Sequence, residues 1–107
     1  MIYYEAVYLK RYRLPSSVAR DTVVKDCVPP GHVLQCIVIF NSSVNTVTLK
    51  VNVNDETTIP MVEVEGGGYA YIEPSPRYFA KRSAFVEITS TNWNNSQIGM
   101  QIIYWKV

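Results

Sequence analysis

The residue types able to do chemistry are few and scattered. The one histidine, His32, follows Pro30-Gly31, and with no second histidine to share a metal it reads as a solvated turn residue. Cys27 and Cys36 flank it, yet a 27/32/36 spacing matches no C-x₂-C zinc pattern and both cysteines fall on strand-like segments. The close carboxylates are Asp55-Glu56 and the pair Glu63 and Glu65. Asp55-Glu56 sits in a turn with no further acidic neighbours to build a calcium cage. Glu63 and Glu65, two apart on a strand, share one face while Val62 and Val64 take the other, the pattern of a solvated sheet face rather than of general acid–base chemistry. Gly66-Gly67-Gly68 runs into Tyr69-Ala70-Tyr71-Ile72 and not into the helix N-terminus that a phosphate cradle requires, so it reads as a connecting turn. No catalytic, cofactor or metal site is expected from this inventory, and the chain is expected not to be an enzyme.

Side chains suited to recognition are more plentiful. Eight tyrosines and two tryptophans exceed what a core of this size must hold, and both residue types favour interfaces because they bury apolar area while keeping a polar handle. Trp93 lies in the polar run Thr91-Asn92-Trp93-Asn94-Asn95-Ser96. There it could stack on a sugar ring, anchor a partner protein, or fold back over one end of the domain. Lys10, Arg11, Arg13 and Arg20 form a basic cluster interleaved with Tyr8 and Tyr12, a combination that serves nucleic acid in some proteins. The formal charge of +1 offers no wider basic surface, which favours an outer strand face or a protein contact over nucleic acid.

The elements that must position these residues are strands. Thr46 to Val53 places apolar residues at every odd position and polar ones at every even position, a half-buried strand. Ala84, Val86 and Ile88, and then Ile98, Met100, Ile102 and Tyr104, repeat with the same period of two. No segment sustains the spacing of a helix, and Val, Thr, Ile and Tyr predominate over helix formers. Turn-forming runs at short intervals divide the chain into about eight strands, near residues 2–13, 22–28, 33–41, 45–53, 58–64, 69–73, 83–90 and 98–106. The expected fold is an all-β, eight-stranded antiparallel sandwich of jelly-roll type, one domain over residues 1–107. Val47, Leu49, Val51, Val53, Val86, Ile88, Met100 and Ile102 are expected inside, and Pro60 marks its strand as an edge or bulged strand.

Hydrophobic residues at 48% and charged residues at 18% suit a packed domain and not a disordered chain. The N-terminal sequence lacks the pattern of a secretory signal, and no run approaches the roughly 18 apolar residues of a membrane helix. Folding in a cytosol is therefore expected, with Cys27 and Cys36 buried and reduced. The Pro29-Pro30-Gly31 turn reads as a hairpin that sets Cys27 nearer Leu34 than Cys36.

Two strands carry more apolar surface than one sandwich core uses. Val33 to Phe40 is apolar on both faces, and Ile102 to Val107 nearly so, whereas a sandwich strand normally buries one face. The second face needs a cover: a long loop, the N-terminal segment or another chain. Self-association follows as the natural expectation. The side chains placed at such contacts are Tyr3, Tyr4, Arg11, Tyr12, Arg13, Trp93, Ile103 and Trp105.

Thr22 to His32, a strand followed by a V-P-x-G-like turn, continues into Ile37-Val38-Ile39-Phe40-Asn41-Ser42-Ser43 and the strand Asn45 to Val53. Together with a glycine turn and a last strand ending at Tyr104, these resemble small virion proteins of tailed bacteriophages. Pro30 before Gly31, the aromatic basic N-terminus and Lys81-Arg82 depart from that pattern. The resemblance implies a non-catalytic sandwich that decorates or cements a capsid, or sits in the neck or tail, as part of a symmetric assembly. Its partners would be other virion proteins and further copies of itself, with no membrane or cofactor, and it would be made in the host cytoplasm. The alternative is a lectin-like module that binds glycans through Trp93 and the Asn-rich loop.

Overall fold

The computed structural model describes residues 11–13, 17–54, 56–74 and 78–106. Among these residues every regular element is a strand: β1 (Arg11–Arg13), β2 (Ser17–Arg20), β3 (Val24–Val28), β4 (His32–Asn41), β5 (Val47–Val53), β6 (Glu56–Val64), β7 (Tyr69–Ile72), β8 (Tyr78–Ala80), β9 (Ala84–Thr89) and β10 (Gln97–Lys106). They form two antiparallel sheets. A six-stranded sheet has the order β1-β10-β4-β7, with β2 also on β10 and β8 also on β4, and a four-stranded sheet has the order β3-β9-β5-β6.

Ten strands occupy eight positions. A strand has two hydrogen-bonding edges, and β10 gives one of them to β4 along Ile98 to Lys106. Its other edge must therefore take both β1, opposite Ile103 to Trp105, and β2, opposite Gln97 to Met100. In the same way β7 and β8 share the free edge of β4, opposite Ile37 to Phe40 and His32 to Leu34. Counted as positions along the chain, the first, third, sixth and eighth lie in one sheet and the second, fourth, fifth and seventh in the other. Only β5 and β6 follow one another within a sheet, which is the jelly-roll winding.

The core sits between the sheets and is set by the period of two. Val47, Leu49, Val51 and Val53 on β5, Val86 and Ile88 on β9, and Met100 and Ile102 on β10 are all buried, together with Leu34, Ile37 and Ile39 on β4. β6 is an edge strand, and Pro60 falls where its pairing with β5 shifts register, between Ile59 opposite Val51 and Val62 opposite Leu49. A proline there gives up no ladder bond. Glu63 and Glu65 are exposed, with Val64 buried and Val62 packed on the core.

Three expectations need correction. The Pro29-Pro30-Gly31 turn is not a hairpin, because β3 and β4 belong to different sheets. It is an arch across the sandwich, with Gly31 at φ +77° and its N–H donating to the carbonyl of Ala80 at 2.8 Å. Nor is His32 a loosely solvated turn residue: its Nδ1 lies 2.9 Å from the Pro30 carbonyl and its ring meets Tyr104 edge-on at 5.2 Å. The arch also separates the cysteines. Cys36 is buried at an outward position on the six-stranded sheet, whereas Cys27 is only half-buried, on the four-stranded one opposite Phe85.

Substituting Leu49→Ala should cost roughly 2–5 kcal/mol in urea unfolding, while Thr48→Ala, on the exposed face of the same strand, should stay within about 0.5 kcal/mol. Equal effects would contradict the assigned face. In the native protein one thiol equivalent should react readily with a disulfide reagent and disappear in Cys27→Ser, and Cys36 should react only after denaturation. Two equally fast thiols in the native state would contradict this placement.

Candidate functional site

The outer face of the six-stranded sheet is built from the second side of its two longest strands. On β4, Leu34, Ile37 and Ile39 point into the core and Val33, Cys36, Val38 and Phe40 point away. The alternation skips at Gln35. Cys36 pairs with Ile103 and Leu34 with Tyr104, so Gln35 is the extra residue of a β-bulge that returns the next side chains to their faces. On β10 the outward positions are Gln97, Gly99, Gln101, Ile103 and Trp105, with Arg20 of β2 opposite Gln97. β7 turns Ala70 and Ile72 inward and Tyr69 and Tyr71 outward, and β2 packs Ala19 on the core and leaves Val18 outside.

Register then assembles continuous rows across the strands. Val18, Gly99, Phe40 and Tyr69 form one row, Gln101, Val38 and Tyr71 the next, Ile103 and Cys36 a third, and Trp105 and Val33 a fourth. The residues of these rows on β2, β10, β4 and β7 are uncharged, while the β1 backbone continues the third and fourth rows with Arg13 and Arg11 and exposed Arg20 stands one outward position from Val18. Val18, Tyr71 and Tyr69 are 56%, 53% and 71% exposed, and Val38, Phe40, Ile103 and Trp105 are half-buried.

The opposite sheet presents a different surface. Its outward positions include Lys25, Glu87, Asn52, Thr48, Lys50 and Glu63. Asn52 Nδ2 donates to Glu87 Oε1 at 3.4 Å and Thr57 Oγ1 to Asn52 Oδ1 at 3.2 Å. Lys25 Nζ lies 4.4 Å from the centre of the Phe85 ring, so even its aromatic side chain is spanned by a cation. The four-stranded sheet is thus amphipathic in the ordinary way, whereas on the six-stranded sheet β4 and β7 turn aliphatic and aromatic side chains outward and β10 and β2 add Gln97, Gln101 and Arg20.

One hydrogen-bonded cluster marks the β7 rim of the apolar face. The Tyr71 hydroxyl donates to Glu73 Oε1 at 3.1 Å. Its bonds with Cys36 and then with Glu73 push the phenol up to about 12 from its ordinary 10.0, since each favours the protonated form.

Of the residues singled out from sequence, Ile103 and Trp105 stand together on this face. The β1 backbone sets Arg11 opposite Trp105, Tyr12 opposite Tyr104 and Arg13 opposite Ile103. Tyr3 and Tyr4 lie outside the described residues. Trp93 is elsewhere. It sits in the β9–β10 connection at one end of the sandwich, half-buried and packed against the core, with its carbonyl accepting from Ser96 N at 3.0 Å. Val18, Phe40, Tyr69 and Tyr71 were not singled out. Their signal was the alternation Tyr69-Ala70-Tyr71-Ile72 beside a strand already apolar on both faces.

The Asn-rich end is tied internally. Buried Asn41 donates to the carbonyls of Asn45 at 2.7 Å and Val64 at 3.1 Å, and its Oδ1 accepts from Ser43 N and Ser43 Oγ. Asn94 Nδ2 donates to Thr46 O at 3.0 Å, Asn45 Nδ2 to Asn94 O at 3.2 Å, and Ser90 Oγ to Thr48 O at 2.7 Å. Asn94 and Asn95 both adopt positive φ, which asparagine tolerates better than most residues. Beside them a Cβ on Gly66 would run into the backbone of Val44. Among the described residues no group of three His, Cys, Asp or Glu side chains is placed to hold a metal ion, and no helix is long and apolar enough to cross a membrane.

No protein-family model and no curated protein sequence matches the chain. Solved structures do resemble it. A chain of the acidic stable capsid of Helicobacter pylori bacteriophage KHP30 superposes with a TM-score of 0.61 at 14% identity, over 92% of this chain and 89% of that one. A family 35 carbohydrate binding module from Clostridium thermocellum gives 0.58 at 8% identity, over 91% and 92%. The CBM36-1 domain of a multidomain xylanase from the hindgut metagenome of Trinervitermes trinervoides gives 0.51 at 8% identity, over 86% and 76%. At such identities the likeness is one of fold: a β-sandwich that serves proteins of different kinds.

The Tyr71 cluster has a consequence for pH. A phenol whose pKa is raised in the folded state keeps its proton where the unfolded chain loses it. The resulting stabilisation is complete below about pH 10 and is lost as pH rises through about 12. Stability measured by urea unfolding from about pH 9 to about pH 12 should fall less steeply in Tyr71→Phe than in the parent. Identical slopes would show that the hydroxyl is not held in this way.

Proposed function

We propose that this chain is a non-catalytic structural virion protein that binds capsid or tail protein surfaces through the outer face of its six-stranded sheet, within a symmetric assembly. The observation that carries the reading is the contrast between the two sheets. On the four-stranded sheet charged and polar side chains surround exposed Met61 and Phe85, whereas exposed Val18, Tyr69 and Tyr71 lie beside half-buried Val38, Phe40, Ile103 and Trp105 and gain from leaving water, at roughly 25 cal/mol per Å² of apolar surface. Aromatic and aliphatic side chains at the centre of a patch are what protein interfaces concentrate. The resemblance to tailed-phage virion proteins and the likeness of fold to a phage capsid chain support placing the protein in a particle, made in the host cytoplasm, as decoration, cement, neck or tail component.

The second reading, a glycan-binding module, draws support from the two carbohydrate-binding neighbours. It relied on Trp93 and the Asn-rich loop. Packing of Trp93 on the core and the internal bonds of Asn45 and Asn94 occupy the groups that such a site would use.

With Tyr69 replaced by a photo-reactive phenylalanine derivative, the protein should cross-link in assembled particles to a capsid or tail protein or to another copy. The same replacement at Met61, exposed on the other sheet, should cross-link little. Reversed yields would overturn the choice of face. On a glycan array the parent should bind nothing specifically, and specific binding abolished by Trp93→Ala would replace this reading with the second one.

A further inference from the structure

We draw no further inference here: the strongest candidate, the patch of exposed Val18, Tyr69 and Tyr71 on the outer face of the six-stranded sheet, belongs to the surface already described, and nothing in the structure shows what covers it.

Discussion

Everything in this molecule depends on the pairing of β4 with β10. The two ten-residue strands run antiparallel along almost their whole length; β4 is apolar on both sides, and β10 on its inner side and at outward Ile103 and Trp105. Their inward side chains, from Leu34 to Ile39 and from Ile98 to Tyr104, form one wall of the core. Each also lends its second edge to two short strands, β1 and β2 on β10 and β7 and β8 on β4. The outward side chains are fixed by the same register. Once Ile37, Ile39, Met100 and Ile102 are committed to the interior, Val38, Phe40, Ile103 and Trp105 have no choice of face.

The consequence of that arrangement is a sheet face on which Val33 and Cys36 are buried, Val38, Phe40, Ile103 and Trp105 half-buried, and Val18, Tyr69 and Tyr71 exposed. The connections at one end are short and occupied with one another: Asn41 bridges two of them and the loop carrying Trp93 is bonded to Thr46 and Asn45. The bulge at Gln35 has a further effect, since it keeps Cys36 and Val33 on the outer side and so extends the apolar rows to Trp105 instead of ending them halfway.

Much of this was legible in the sequence because it depends on local period. The strand from Thr46 to Val53, the buried alternation on β9 and β10, the edge character of Pro60 and the double-sided apolar pattern of β4 need only residue order. What was not legible depends on pairing. β2 and β8 are three or four residues long and fall beside Pro15 and Pro76, where the chain reads as turn; their strand conformation comes from hydrogen bonds to β10 and β4, not from their own pattern. Sequence also cannot separate a hairpin from an arch when both are built on Pro-Pro-Gly, and so β3 and β4 were wrongly taken as neighbours. Trp93 had three open placements, and packing at the sandwich end is decided by the core beneath it. Tyr69 and Tyr71 were visible as an alternating pair, but their significance required knowing that β7 pairs with Val38 and Phe40.

The central claim is that one named sheet face is covered when the protein works. Hydroxyl-radical footprinting of the free chain and of the chain within assembled particles measures this directly, residue by residue. Tyr69, Tyr71 and Trp105 should lose reactivity on assembly, while Met61 and Phe85 on the opposite sheet should keep theirs. Unchanged reactivity at both tyrosines, with protection confined to Met61 and Phe85, would contradict the account.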